Sequence, residues 1–83
     1  MSLNWNERAK KTLLNKVITS VRWMTDEEAK SLGWYNRPLC IQLDHKMWMF
    51  ASMDDEGNDG GTLFTDDENE PGFPVMSVGD DIK

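Results

Sequence analysis

The stretch SMDDEGNDGGTLF, from Ser52 to Phe64, sets four carboxylates, an asparagine and three glycines between two hydrophobic runs. The chemistry this set could do is coordination of a hard cation, which takes six to eight oxygens. Asp54, Asp55, Glu56 and Asp59 are the candidate ligands, and calcium the candidate ion. The spacing of an EF-hand is not met. A frame starting at Asp55 puts Gly57 third and Asp66 last, and one starting at Asp54 puts Asp59 on the glycine position and Thr65 last. The competing reading is a wide turn, with Gly57, Gly60 and Gly61 at positive φ and the Asp and Asn side chains accepting from local N–H groups. The turn is preferred, and a non-EF calcium site is the alternative.

Other chemistries are less well supplied. His45 and Cys40 are the single histidine and cysteine, too few for a closed zinc site. Their odd spacing puts them on opposite faces of an extended strand, away from a nucleophile–base pair. The pairs Asp54-Asp55 and Asp66-Asp67 sit in solvated runs with nothing to separate their pKa values. Gly60-Gly61 lacks a phosphate-loop context. Arg22 and Arg37 differ, because large aromatics flank them: Trp23 beside the first, Trp34 and Tyr35 before the second. Exposed Arg–aromatic sets are the usual composition of interaction hot spots. With Trp48 from a later strand they make the candidate partner-binding set. The other reading pairs both arginines with the Asp-rich loop inside one subunit.

Charge agrees with a binding role. Residues 1–46 carry eight Lys/Arg against five Asp/Glu, a net +3, and residues 47–83 carry one Lys against ten Asp/Glu, a net −9. Phosphate backbones need clustered cations, so nucleic-acid binding is not expected; an acidic decoy of a nucleic-acid-binding protein is a third reading. With 83 residues and a 39% hydrophobic share, the chain makes one domain with a thin core, and a lone cysteine rules out an internal disulfide. A metal or a second subunit is then the available supplement. No apolar run is long enough for a bilayer and no signal-peptide pattern opens the chain, so a cytoplasmic location without membrane contact is expected.

The elements that must position these residues follow from pattern. Residues 1–12 read as a mobile N-terminal arm, 13–76 as the domain, and 77–83 as a disordered tail. VITSVRWM, Val17 to Met24, alternates as a strand. Thr25 and Glu28 form a capping box, and Gly33 supplies the C-terminal left-handed residue, giving a helix over 26–32. LCIQLD and MWMFAS form a hairpin around Asp44-His45-Lys46. Trp48 and Phe50 share one face of its return strand and Met47, Met49 and Ala51 the other, so both faces are apolar; one would be a barrel interior and the other a covered or subunit-contacting surface. Leu63-Phe64 and Phe73 to Met76 close the pattern, with Pro74 on an edge or bulge.

Arg22-Trp23-Met24, then Thr25, Glu27, Glu28 and Ala29, Leu32-Gly33-Trp34, Arg37-Pro38, Asp54 to Asn58, Gly61 to Phe64 and Pro74-Val75 make a pattern that resembles a group of small uncharacterised bacterial proteins. The resemblance spans residues 13–76 and implies no particular activity. It departs at the hairpin tip, where Asp-Gly is expected and Asp44-His45-Lys46 stands. The expected fold is mainly β with one short helix, an α+β chain forming a small SH3-like barrel or a strongly bent antiparallel sheet. The expected function is non-enzymatic binding of a protein partner or of a second copy, without a cofactor unless the calcium alternative holds.

Overall fold

Helix α2, Asp26–Leu32, forms where the capping box places it. Thr25 Oγ1 accepts from the Glu28 N–H at 3.1 Å while the Glu28 carboxylate accepts from the Thr25 N–H at 2.9 Å. Gly33, at φ 75°, ends the helix. The protein is represented by a computed structural model that describes residues 4–79.

Around α2 the chain runs α1 (Trp5–Leu13), β1 (Ile18–Trp23), then β2 (Asn36–Arg37), β3 (Leu39–Leu43), β4 (Met47–Phe50), β5 (Leu63–Phe64), β6 (Gly72–Phe73) and β7 (Met76–Ser77). The main sheet is antiparallel, in the order β1-β3-β4, and β2-β7 and β5-β6 form two separate two-stranded pairs. The described strands close no barrel. Mixed α+β architecture stands, with two helices among the described residues.

Register fixes which side chains share a side. Arg22 opposes Cys40 and Cys40 opposes Phe50; Gln42 opposes Trp48. This side faces the core, where Met24, Ala29, Trp34 and Cys40 are buried with Trp48 and Val78 packed against them. Val21, Ile41 and Met49 form a row on the other side. A register shift between Ile18 and Ser20 sets Ile18 opposite Leu43, which moves it from the expected Ser20–Arg22 side to the Val21 side.

Three segments differ from the sequence expectation. Residues 5–12 of the expected mobile arm, together with Leu13, are helical: the Asn4 side chain accepts from the Glu7 N–H at 2.8 Å, Glu7 lies in the first turn and Lys10 and Lys11 in the last, matching the helix dipole. No residue of this helix is buried. Ser77 to Gly79, within the expected disordered tail, are paired: β7 lies on β2, the Val78 N–H donates to the Tyr35 carbonyl at 2.9 Å, and the Gly79 N–H donates to Asp26 Oδ1 at 3.0 Å. The remainder of the expected arm and tail, residues 1–3 and 80–83, lies outside the described residues. Finally, the closing strand over 73–76 is two strands, because Pro74 interrupts the ladder between β6 and β7.

The hairpin tip reaches its turn without glycine. Asp44 and His45 sit at φ 52° and 58°, the left-handed pair that a tight hairpin demands. Side-chain and backbone ties hold them there: Asp44 Oδ1 accepts from the Val17 N–H at 2.9 Å, the Asp44 N–H donates to the Val17 carbonyl at 2.8 Å, and the His45 N–H donates to Thr19 Oγ1 at 2.9 Å.

Candidate functional site

The acidic loop is built as a turn, and its carboxylates face different partners. Asp54 Oδ1 accepts from the N–H groups of Glu56 and Asn58, both at 3.1 Å, and its Oδ2 accepts from the Asn58 amide at 2.8 Å. Those bonds, the Asn58 amide first, hold the Asp54 carboxyl below its ordinary range. Asp59 turns inward. Its Oδ1 accepts from the N–H groups of Tyr35, Asn36 and Gly60, and its Oδ2 from the Asn36 amide. Desolvation opposes its ionisation, yet the bonds from Asn36, Gly60 and Tyr35 outweigh that and lower its pKa.

No group of three or more His, Cys, Asp or Glu is placed to hold a metal among the described residues. Asp54, Asp55, Glu56 and Asp59 are therefore not brought together as a ligand set. The glycines also act differently from the expectation. Gly57, at φ 73°, takes the left-handed conformation, whereas Gly60 and Gly61 do not. A Cβ on Gly60 would lie 2.6 Å from the Asn36 oxygen and 2.7 Å from Pro38 Cδ, and one on Gly61 2.8 Å from the Ser52 carbonyl. These two are glycine because backbones pass too closely for a side chain.

The six residues of the candidate partner-binding set separate. Arg37, 5% exposed, is buried beside Asp26, with Nε 3.3 Å from Asp26 Oδ1 and donating to the Ser77 carbonyl at 3.2 Å. Trp34 is a core residue whose indole N–H donates to the Gly57 carbonyl at 2.7 Å and whose ring meets Phe50 edge-on at 5.9 Å. Neither can serve as a contact surface. Arg22 makes a two-bond fork to Glu28, at 2.8 and 3.0 Å, and its guanidinium lies over Trp48. That fork, ahead of the Thr25 N–H, holds Glu28 down to about 2, and the same bond raises Arg22. Trp23 spends its indole N–H on the Pro74 carbonyl at 2.9 Å, and lines a shallow cleft of about 480 Å³ with Thr25, Asp26 and Arg37. Tyr35 stands 79% exposed.

Both arginines pair inside the chain, as one reading expected, but with the first turn of α2 in place of the Asp-rich loop. The reason is distance along the fold: β1 and β2 flank the helix N-terminus, where Asp26 and Glu28 are already favoured by the dipole. Cys40 is buried, which raises its pKa and leaves it a small apolar residue.

The sequence reading singled out Met47, Met49 and Ala51 as a covered or subunit-contacting face, but not the Ile18, Val21 and Ile41 that β1 and β3 add to that side of the sheet. Leu39 and Leu43 are buried at its two ends, but between them Ile41 and Met49 are half-covered and Val21 is 55% exposed, and Ile18, beside Leu43, is 59% exposed. A groove of about 130 Å³, lined by Leu39, Ile41, Met49, Phe50, Ala51 and Leu63, runs into this surface. The apolar second face of β4 was the sequence signal for it. Among the described residues no helix is long and apolar enough to cross a membrane. Comparison of the chain with protein families, with curated proteins and with solved structures gives no match.

Proposed function

We propose that this chain is a small non-enzymatic binding module whose working surface is the outward side of the β1-β3-β4 sheet. One observation carries the reading: Val21 is more than half exposed in a row with Ile41 and Met49, and Ile18 likewise in a row with Leu43 and Met47, although the opposite side already supplies the core. A sheet with a single packed side ordinarily alternates to polar residues on the other. Contiguous apolar surface of this kind marks an interaction site. The Arg22–Trp48 stack then supports the sheet from the core side, and the acidic loop shapes its border. The SH3-like kinship, the likeness to the small bacterial proteins and a cytoplasmic setting belong to the same proposal.

The test is a double variant, Val21→Thr with Met49→Gln. It is expected to keep the wild-type circular dichroism and cooperative unfolding while binding less of a hydrophobic dye. Loss of folding would show that the surface is packed within the chain, and would remove the reading.

A further inference from the structure

Among the described residues, nothing buries helix α1 or the Ile18 and Val21 part of the outward sheet surface. The helix spans nine residues, none buried, and isolated helices below about 12–15 residues are marginal in water. Trp5, Ala9 and Leu13 recur at four-residue spacing along one side, with Trp5 78% exposed and Leu13 39%. Glu7, Lys10 and Lys11 occupy the other side. The helix needs an apolar surface, and the sheet presents one.

Its own sheet is not placed to receive it. Thr12 and Lys16 border Leu43 and Met47 at the rim of the surface, so the C-terminal end of the helix is held there and its Trp5 end is the far one. Asn15 at φ 64°, the Lys16 N–H donating to the Leu13 carbonyl, the Lys16–Asp44 ion pair at 3.8 Å and the Val17 N–H on Asp44 fix the connection. Folding α1 back across its own sheet would undo these ties. The shape agrees: the radius of gyration is 14.0 Å, against about 12 Å for a compact chain of this length.

We propose that the chain forms a reciprocal homodimer in which α1 of each copy lies across the outward sheet surface of the other. The inference rests on that surface being the working one. Charge favours it, since residues 5–16 carry Arg8, Lys10, Lys11 and Lys16 against Glu7, while the β5–β6 turn beside the groove carries Asp66, Asp67, Glu68 and Glu70. A two-fold arrangement makes the contact twice. A standard interface of about 1,600 Å² then needs about 800 Å² from each contact, toward which one Trp supplies about 150–250 Å².

The experiment is sedimentation equilibrium of the full chain over a hundredfold concentration range, for wild type, Trp5→Glu, Met49→Glu and an equimolar mixture of the two variants. Wild type is expected to be dimeric at the upper concentrations. Each variant alone is expected to weaken association by about tenfold or more, as loss of a central anchor does. The mixture is expected to regain part of the dimer, because it holds one intact helix–sheet contact. Raising salt is expected to loosen the wild-type dimer. Should Met49→Glu fail to fold by circular dichroism, Val21→Lys takes its place. A dimer abolished by Met49→Glu and untouched by Trp5→Glu overturns the helix exchange and leaves the sheet surface as a binding face. A wild type that stays monomeric throughout overturns the homodimer while leaving the dye experiment to decide the surface itself.

Discussion

Arg22 lies across the indole of Trp48, its guanidinium carbon 4.6 Å from the ring centre, while both terminal nitrogens are held by Glu28. The planar fork does three things together: it seals one edge of the core, ties β1 to α2, and anchors the residue that closes the capping box. Lysine can do none of these in the same geometry. Arg22→Lys is expected to lower stability by about 1 kcal/mol, combining a lost stack with a weakened half-exposed pair. Urea denaturation measures it, and an unchanged midpoint would show the stack to be incidental.

Acid should act through the same pair. Glu28 is held down to about 2, below the ordinary 4.5, so the stability it contributes is complete above about pH 4.5 and is lost as pH falls toward 2. Asp54 and Asp59 are lowered too and act in the same direction. The midpoint of thermal unfolding is expected to fall across this window, and Glu28→Gln to flatten the fall without abolishing it. A Glu28→Gln profile parallel to wild type would assign the acid sensitivity elsewhere.

The loop glycines should separate by mechanism. Gly60→Ala puts a methyl against Asn36 and Pro38 backbone and ring atoms, and is expected to cost about 2–3 kcal/mol, at the upper end for overpacking. Gly57→Ala meets no atom within 4 Å and bears only the left-handed conformation, so about 1 kcal/mol is expected, and Gly57→Asn less. Equal losses at 57 and 60 would contradict the close-approach account.

Calcium, magnesium and chelator are expected to leave the unfolding midpoint unchanged, because Asp54 and Asp59 are turned to N–H groups of different segments. Asp59→Asn should be the more damaging of the two amide variants. It disturbs the ties to Tyr35, Asn36 and Gly60, whereas Asp54→Asn affects bonds within its own turn. A saturable calcium rise that Asp54→Asn removes would restore the metal reading.

Local signals were legible where their partners lie within a few residues. Thr25, Glu28 and Gly33 mark α2 correctly because a cap is closed by its own neighbours. The hairpin was visible in the alternation of Leu39, Ile41 and Leu43. Asn4 followed by Glu7 carried the same kind of signal for α1, but sparse apolar spacing hid it. The pairing of Arg37 with Asp26 and Ser77 could not be read, since eleven and forty residues separate them and nothing local encodes that proximity. Trp34 and Tyr35 are adjacent in sequence and opposite in fate: one is core and the other 79% exposed, which turn geometry decides and composition does not.

The ties from β7 and its surroundings set an order of events in time. The Trp23 indole finds Pro74 across 51 residues, Arg37 finds Ser77 across 40, and Gly79 finds Asp26 across 53. Helix α2 and the β3–β4 hairpin can form on the microsecond scale of local structure, while these closures wait on long-range loop entropy. During synthesis the segment through residue 70 would emerge with Asp26 already able to meet Arg37 and the Arg37 bond to the Ser77 carbonyl still to form. The last strand therefore works as a latch: until it arrives, the ties that Trp23, Asp26 and Arg37 make to residues 74–79 are still to form, and once it docks the whole unit locks together.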